Sequence, residues 1–348
     1  MLRTRLRTPP RWSCGSWSPC PCVPDICTQS RGARLLHRLG NSQALQVDAR
    51  LTPDRQKRGD GALAGNHSAL DRLAVADLFQ AIVLGVTQGL TEFLPVSSSG
   101  HLILVSSLFG WEDQGLAFDA GLHAGTLVVL LGYFWRDWAL MVRSAAGDLR
   151  RRGRGPALSP PTETLVLITV GSVPVAVAGL LLDGWIAANL REPWLVATML
   201  ALFGIVMLAV DRGARGQRPF GDVRLGDVLI IGLAQSLALV PGVSRSGATI
   251  TAGLACGLDR ATAARFAFVL GMPTFAAAAF LELPELVTAG GEWKLALVGA
   301  MVAGVVGFAA VHGLLAFLRH RTLAAFAVYR LVVAVVALAL LALRPISF

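Results

Sequence analysis

Apolar and polar positions alternate in long blocks along this chain from about residue 78 onward. Six apolar blocks approach the ~20 residues that a helix needs to cross a bilayer, and these are 118–141, 163–183, 193–210, 261–284, 294–318 and 324–343. Four shorter apolar blocks form two pairs, 78–94 with 102–110 and 228–240 with 248–257, and a polar loop separates the members of each pair. Two short helices joined by such a loop form a re-entrant hairpin, which is tolerated at membrane depth where protein or water satisfies its backbone. The pattern therefore predicts an all-α polytopic membrane protein with six transmembrane helices plus two re-entrant helical hairpins.

The two predicted hairpins share their sequence. Matching residues recur 147 positions apart, and the identical pairs are Gly85/Gly232, Gln88/Gln235, Leu90/Leu237, Val96/Val243, Ser97/Ser244, Ser99/Ser246 and Gly100/Gly247. Repeated helix breaks inside membrane segments are typical of two half-sites that meet at one polar centre. We therefore expect an internal repeat, with repeat one at about 76–210 and repeat two at about 227–345.

The distribution of basic residues predicts the orientation of the repeats. Arginines concentrate in the loops 142–162, 211–227 and 319–323, whereas the alternate loops carry little charge. Because basic loops tend to remain in the cytoplasm, the first hairpin should enter the membrane from outside and the second from inside. The two copies are thus expected to form an inverted repeat, with their tips meeting near the midplane and the C-terminus outside.

Composition supports the membrane assignment and sets the first 74 residues apart. The chain is 54% hydrophobic and 15% charged, as polytopic membrane proteins are. Residues 1–70 hold eleven Lys and Arg against four Asp and no Glu, so +7 of the formal net charge of +9 lies there, and the rest gives no reason to expect a nucleic-acid partner. We expect 1–74 to be a disordered basic leader, resembling a transit peptide or absent from the mature protein, with initiation near Val75, and 75–348 to be the membrane domain.

The first hairpin carries a carboxylate and an imidazole beside a serine-rich loop. Gln88 and Glu92 are four residues apart and share one helix face, and a carboxylate at membrane depth is costly and by default a functional candidate. Glu92 could ligate a divalent metal, act as a general acid or base, or simply be solvated at the water interface. His101 could accept the proton of Ser98 or protonate a leaving oxygen. For a single serine-rich turn, capping of the following helix is the alternative.

The second hairpin carries a cation, Arg245, where the first carries Ser98. An arginine in an apolar setting needs an anionic partner, and its planar fork of donors matches phosphate geometry. The N-terminus of the helix that follows also favours an anion. A structural ion pair with Glu92 is the alternative, and both roles can coexist. An anion clamp, a hydroxyl, an imidazole and a carboxylate together suit phosphoryl transfer on a membrane-embedded phosphate ester or anhydride.

These motifs resemble those of the bacterial undecaprenyl-diphosphate phosphatase family of the bacitracin-resistance type, over about residues 76–345. The first family motif is a Glu/Gln-xxx-Glu pair followed by Pro-Val-Ser-Ser-x-Gly-His, and the second is Pro-Gly-x-Ser-Arg-Ser-Gly-Ala-Thr. Their counterparts here are Gln88, Glu92, 95–101 and 241–249, with further similarity at 125–129 and 134–136. Two long motifs in this order make the resemblance specific.

The resemblance implies hydrolysis of undecaprenyl diphosphate to undecaprenyl phosphate and inorganic phosphate. This reaction recycles the lipid carrier for cell-wall synthesis and confers resistance to bacitracin. It also implies a multi-pass protein of the bacterial inner membrane, whose active site opens to the extracytoplasmic side. The partner expected is thus a membrane lipid, a polyprenyl diphosphate, and not a nucleic acid; a homodimer is an option that the sequence leaves open.

The resemblance also assigns roles to single residues. It implies that Ser98 is the nucleophile or a phosphate ligand, that His101 is the acid/base, and that Arg245 is the phosphate clamp. It places a divalent cation, Mg²⁺ or Ca²⁺, near Glu92 and Gln88, although Gln88 weakens any arrangement of two carboxylates on one metal. The supporting phosphate-binding residues would be Ser97, Ser99, Gly100, Ser244, Ser246 and Thr249.

The main rival function is transport. Inverted repeats with broken helices are also the architecture of secondary transporters, and a polyprenyl-phosphate transporter or flippase would share the fold and Arg245. Such a protein would not need Ser98 and His101 together. Whether hydrolysis would use a phospho-serine intermediate or direct attack by water is left open by the sequence.

Overall fold

The computed structural model describes residues 77–111, 116–151, 158–288 and 293–343. Within them the regular structure is helical, apart from one isolated bridge between Arg218 and Leu258. The helices are α1 (77–93), α2 (Ser98–Phe109), α3 (Leu116–Tyr133), α4 (Trp135–Arg150), α5 (Pro160–Asn189), α6 (Pro193–Gly213), α7 (Leu225–Leu237), α8 (Arg245–Ala255), α9 (Arg260–Thr288), α10 (Trp293–Leu318) and α11 (Ala324–Leu343), with a 3₁₀ turn at Phe220–Asp222. The predicted leader, 1–74, and the proposed start near Val75 lie outside the described residues.

Among the described residues, five helices are long and apolar enough to cross a membrane, and a bent pair can supply a sixth crossing. The five are Pro160–Leu182, Pro193–Gly213, Arg260–Leu281, Trp293–Leu318 and Ala324–Leu343. Prolines at the first turn of α5 and α6 start these helices where no backbone donor is lost. The all-helical class is thus confirmed, with five to six candidate membrane-spanning helices in the described part of the chain.

The bent pair consists of α3 and α4, which meet at 66° around residue 134. We predicted residues 118–141 as one straight span followed by a loop, whereas the structure ends α3 at Tyr133 and continues as a helix to Arg150. The cause is the charge on α4, which carries Arg136 and Asp137 in its first turn. Charged groups are costly in hydrocarbon, and an amphipathic helix such as α4 therefore favours a change of direction where it begins.

Glycines let the first helix of each hairpin pack against the opposite half of the protein. A Cβ atom on Gly85 of α1 would lie 2.7 Å from the carbonyl oxygen of Gly299 on α10. The repeat-related Gly232 of α7 would place its Cβ 2.4 Å from the carbonyl oxygen of Gly171 on α5. Both contacts require glycine because no side chain fits between the two backbones. The same close approach, made twice, shows that the repeat seen in sequence is also a repeat of packing, in which each hairpin is held by the other half.

Candidate active site

Each hairpin breaks at a short tip that ends in a serine of unusual backbone conformation. The first tip comprises residues 94–97 and the second comprises 238–244. Ser97 has φ of 77° and Ser244 has φ of 76°, and they are the non-glycine residues with positive φ in the described part of the chain. Their hydroxyls accept hydrogen bonds from the backbone N–H of Gly100 at 3.3 Å and of Gly247 at 3.1 Å. Such strain, of order 1–3 kcal/mol per residue, is concentrated at functional sites.

The two tips contact each other, as the inverted repeat predicts. The hydroxyl of Ser246 donates to the carbonyl oxygen of Leu94 at 3.1 Å. A Cβ on Gly100 would lie 3.3 Å from the Cα of Gly242, so the backbones also touch. The N-termini of α2 and α8 both start at this junction. The dipoles of the two helices make the junction a favourable place for an anion.

Glu92 is the carboxylate at the junction and is only 6% exposed. Its Oε2 accepts hydrogen bonds from the hydroxyl of Ser98 at 2.5 Å and from the amide nitrogen of Gln88 at 2.9 Å. The Nε2 of His123 lies 3.9 Å from the same oxygen. These contacts all involve the Oε2 oxygen of Glu92. The proton of Ser98 therefore points at Glu92.

His101 is turned toward a different partner. Its Nδ1 lies 2.7 Å from the carbonyl oxygen of Ser97, and its Nε2 lies 3.0 Å from the hydroxyl of Tyr329. Because a carbonyl only accepts, Nδ1 is the donor of that pair. In the structure the hydroxyl of Ser98 therefore donates to Glu92 and not to His101, which was one of the alternatives from the sequence. His101 instead pairs with Tyr329 on α11.

Arg245 is the first residue of α8 and lies over an aromatic ring. Its guanidinium carbon is 3.9 Å from the centroid of the Phe275 ring on α9. Stacking on an aromatic face holds a guanidinium in one plane, and a planar fork of N–H donors is the geometry that matches an oxyanion. The position of Arg245 at a helix N-terminus adds the dipole of α8 to its own charge.

The six residues predicted to support phosphate binding form different hydrogen bonds in the structure. Ser97 and Ser244 cap helices, as the capping alternative proposed for a serine-rich turn, and the N–H of Gly100 is the donor to Ser97. Thr249 donates its hydroxyl to the carbonyl oxygen of Arg245 at 2.8 Å. The remaining two hydroxyls, Ser99 and Ser246, lie 3.5 Å from Ser97 and 3.3 Å from Ser244 respectively. All six lie at the junction of the tips, and a phosphate-binding role for them stays a prediction.

A second arginine, Arg330 of α11, holds both tips and was not predicted. It is 1% exposed. Its guanidinium donates to the carbonyl oxygens of Pro95 in the first tip at 3.3 Å, of Val243 in the second at 3.0 Å and of Gly242 at 2.7 Å, and its Nε donates to Leu200 at 3.2 Å. All of these acceptors are neutral carbonyls. The positive charge of Arg330 is therefore left to act on the junction that it supports.

His123, Phe275 and Tyr329 were also not predicted from the sequence. Of these three and Arg330, only Arg330 has a signal in the sequence. Arg330 interrupts an apolar span, which by itself marks a functional candidate, and this signal was overlooked. His123 lies in a helix of ordinary appearance, and Phe275 and Tyr329 are aromatic residues in apolar helices. Their contacts join residues up to 228 positions apart, so no local pattern predicts them.

A cavity of about 260 Å³ lies among α1, α2 and α3. Its walls include Leu84, one helical turn before Gln88, and Leu102, which follows His101. They also include Asp119, one turn before His123, together with Trp111 and Arg191. The cavity therefore lies beside the helices that carry Gln88, His101 and His123, and it extends to the loop between α5 and α6.

The fold and site define a class of helical membrane protein in which two helix breaks meet beside a serine–glutamate pair. Comparison with known proteins identifies the family. The family model of the bacitracin resistance protein BacA matches residues 81–336. The chain belongs to this family.

Curated relatives show the same membership. The chain is 43% identical over 268 residues to undecaprenyl-diphosphatase of Moorella thermoacetica, an alignment that covers 77% of this chain and 99% of the relative. It is 41% identical over 271 residues to undecaprenyl-diphosphatase of Pelotomaculum thermopropionicum, covering 78% and 99%. Undecaprenyl-diphosphatase of Gemmatimonas aurantiaca is 42% identical over 267 residues, covering 77% and 99%.

Proposed function

We propose that the chain is an undecaprenyl-diphosphatase, which hydrolyses undecaprenyl diphosphate to undecaprenyl phosphate and inorganic phosphate. The observation that carries this proposal is the 2.5 Å hydrogen bond from Ser98 to Glu92 at the junction of two helix N-termini. It places an attacking oxygen and its proton acceptor beside an anion-binding centre. The reaction recycles the lipid carrier of cell-wall synthesis, and it confers resistance to bacitracin in keeping with the family name.

The arrangement assigns a role to each reactive group. The terminal phosphate binds at the N-termini of α2 and α8, where Arg245 and the backbone N–H groups stabilise the charge on its oxygens. Glu92 accepts the proton of the attacking oxygen, which is that of Ser98 or of a water molecule in its place. The attack forms a bond from that oxygen to the terminal phosphorus and breaks the bond to the bridging oxygen, which leaves with undecaprenyl phosphate. Attack by water gives inorganic phosphate directly, whereas attack by Ser98 gives a phosphoserine that water then hydrolyses to inorganic phosphate. His101 is the second acid/base of the site and exchanges a proton through Nε2.

A divalent cation, Mg²⁺ or Ca²⁺, fits one part of this centre. Oxygen donors suit these hard cations, and Glu92 offers a buried carboxylate while the Oε1 of Gln88 is buried with no hydrogen-bond partner. The described residues contain no cluster of three or more His, Cys, Asp or Glu that would hold a metal alone. Glu92 and Gln88 would therefore hold the cation together with substrate phosphate oxygens, as is common for Mg²⁺. The cation would supply charge neutralisation at the diphosphate.

The finer topology belongs to the same proposal. The pair α3–α4 counts as the sixth crossing, and α1–α2 and α7–α8 are re-entrant hairpins of opposite orientation in the inner membrane. The basic loops then lie in the cytoplasm. The cavity beside Leu84 and Arg191 lies at the other end of the helices, which supports access to the site from the extracytoplasmic side.

The rival function, transport of a polyprenyl phosphate without hydrolysis, does not use the bond between Ser98 and Glu92. The test is release of inorganic phosphate from a polyprenyl diphosphate by the purified protein in detergent. We expect Ser98→Ala and Glu92→Gln each to lower kcat by at least ~10²-fold, because each removes one member of the proton-transfer pair.

Ser236→Ala is the matched control for the serine variant. Its hydroxyl donates to the carbonyl oxygen of Gly232 inside α7 at 3.2 Å, so it should retain the wild-type rate. Absence of phosphate release by the wild-type protein would contradict the enzymatic function. Full release by Ser98→Ala together with Glu92→Gln would leave hydrolysis standing and remove the assigned site.

A further inference from the structure

The hydroxyl of Tyr329 forms a hydrogen bond with His101, and the proposed mechanism does not account for this contact. His101 is 7% exposed, so both of its ring nitrogens need hydrogen-bond partners within the protein. Ser97 supplies one through its carbonyl oxygen, and Tyr329 supplies the other at 3.0 Å. Since Nδ1 donates to the carbonyl, the neutral ring must accept at Nε2, and the phenol O–H is the donor there.

The two rings are also stacked. Their centroids lie 5.6 Å apart with an interplanar angle of 6°. The phenol thus restrains the imidazole in two ways, through the plane of its ring and through its hydroxyl. Tyr329 is itself 44% exposed, so burial does not force its hydroxyl to seek a protein partner, whereas the buried His101 has a strict need for one.

The position of Tyr329 is fixed by the residue that follows it. Arg330 donates to the carbonyl oxygens of Pro95 and Val243, one in each tip, which fixes this turn of α11 against the junction. Tyr329 therefore reaches His101 from a helix that is tied to both halves of the site. The partner of an imidazole nitrogen sets the tautomer and the ring orientation. Here the phenol O–H donates to Nε2, so the proton of the neutral ring stays on Nδ1.

We propose that Tyr329 is a positioning residue for His101: its ring holds the imidazole in one plane, and its hydroxyl, by donating to Nε2, keeps that nitrogen unprotonated and so able to take up a proton. This inference rests on the proposed role of His101 in hydrolysis. Tyr329 does not need to touch the substrate, because it acts through the imidazole. Loss of its hydroxyl should lower turnover, and binding of the lipid diphosphate should change little.

The chain offers a matched control, because it contains two tyrosines and each contacts a histidine. Tyr133 lies with its hydroxyl 3.2 Å from Nδ1 of His312, at an exposed position between α3 and α10. Tyr133→Phe removes the same hydroxyl from the same kind of pair outside the site. We expect it to keep wild-type kcat and KM.

The experiment measures phosphate release by the purified full-length protein with a polyprenyl diphosphate. Tyr329→Phe keeps the stacked ring and loses the hydroxyl, and we expect kcat to fall by about 10- to 100-fold, the range found when a partner that orients a functional histidine is removed. KM should stay within about twofold. Tyr329→Leu loses the ring as well, and its kcat should be lower still. Thermal unfolding of both variants reports any general loss of stability.

A double-mutant cycle with His101→Gln separates the possible outcomes. If Tyr329 acts through His101, adding Tyr329→Phe to His101→Gln should change the remaining rate by less than about twofold. An equal loss in both backgrounds, or full activity of Tyr329→Phe when His101→Gln is impaired, would overturn the inference and leave the proposed function intact. Wild-type activity of His101→Gln would instead refute the proposed role of His101 itself.

Discussion

At the scale of one residue, Arg245 shows how the plane of a guanidinium is fixed at the proposed phosphate site. Its guanidinium lies 3.9 Å above the Phe275 ring, at the N-terminus of α8. The ring restricts the plane of the fork, so that in the proposed clamp a phosphate would meet two parallel N–H donors rather than a mobile point charge. Planarity, and not charge alone, is therefore what this position requires.

Substitution of Arg245 by lysine should consequently lose most activity. Lysine keeps the charge but has neither the fork nor the flat face that stacks on Phe275. We expect kcat/KM for a polyprenyl diphosphate to fall by more than ~10-fold, since a charge-assisted hydrogen bond contributes about 1.5–3 kcal/mol. Steady-state phosphate release measures the effect.

Arg265→Lys provides the control for that substitution. Arg265 also lies over an aromatic ring, with its guanidinium carbon 5.3 Å from the Phe220 centroid, and it pairs with Asp137 at 2.8 Å away from the tips. It should keep the wild-type kcat/KM. Near-wild-type turnover of Arg245→Lys would refute the clamp role of Arg245.

At the scale of single residues, the sequence predicted the polar residues of the candidate site better than their hydrogen-bond partners. Ser98, Glu92 and Arg245 were recognised because polar residues are costly in apolar surroundings and lie within repeated motifs. The pairing of His101 with Tyr329, by contrast, joins α2 to α11. It depends on how two distant helices pack, and no spacing in the sequence encodes it.

At the scale of the elements, glycine decides how closely the hairpins approach the spans. Gly85 and Gly232 occupy equivalent positions in the two repeats, and each lies against the backbone of a glycine in the opposite half. The repeat was visible in the sequence, but the partner glycines, Gly299 and Gly171, were not part of any predicted motif. The break between α3 and α4 was missed because the apolar block was taken to continue through residue 134 to 141, with a loop only from residue 142.

Gly232→Ala should therefore destabilise the protein. Its Cβ would lie 2.4 Å from a backbone oxygen of Gly171, which cannot move aside without displacing α5. Overpacking of this kind costs about 1–3 kcal/mol, and we expect a lower midpoint of thermal unfolding in detergent. Gly226→Ala is the control in the same helix, because nothing lies within 4 Å of its added Cβ. An unfolding midpoint for Gly232→Ala equal to that of Gly226→Ala would contradict the close packing of α7 on α5.

At the scale of the whole molecule, Arg330 shows why an inverted repeat can form one site. Each tip ends with carbonyl groups that its own helices do not satisfy, and Arg330 binds such carbonyls from both tips. One buried side chain from the last helix thus joins the two halves, while Ser246 joins the tips directly. The two halves differ at the residues of the proposed chemistry, since Ser98 with Glu92 belongs to one hairpin and Arg245 to the other. Under the proposed function, the duplication would supply the scaffold and the differences between its copies the reactive groups.

The orientation of this scaffold makes a prediction that concerns the molecule as a whole. The basic loops and the cavity beside Arg191 lie at opposite ends of the helices, so the positive-inside tendency places the entrance to the site outside the cytoplasm. Single cysteines introduced as Arg191→Cys and Arg319→Cys, in a variant without its five native cysteines, report on the two ends. In intact bacteria a membrane-impermeant maleimide should label Arg191→Cys directly and Arg319→Cys only after the membrane is permeabilised. Both variants should release phosphate at the wild-type rate, which verifies that the labelled protein is folded. The reverse labelling pattern would place the entrance in the cytoplasm, and the enzyme could not then act on carrier released at the outer face of the membrane.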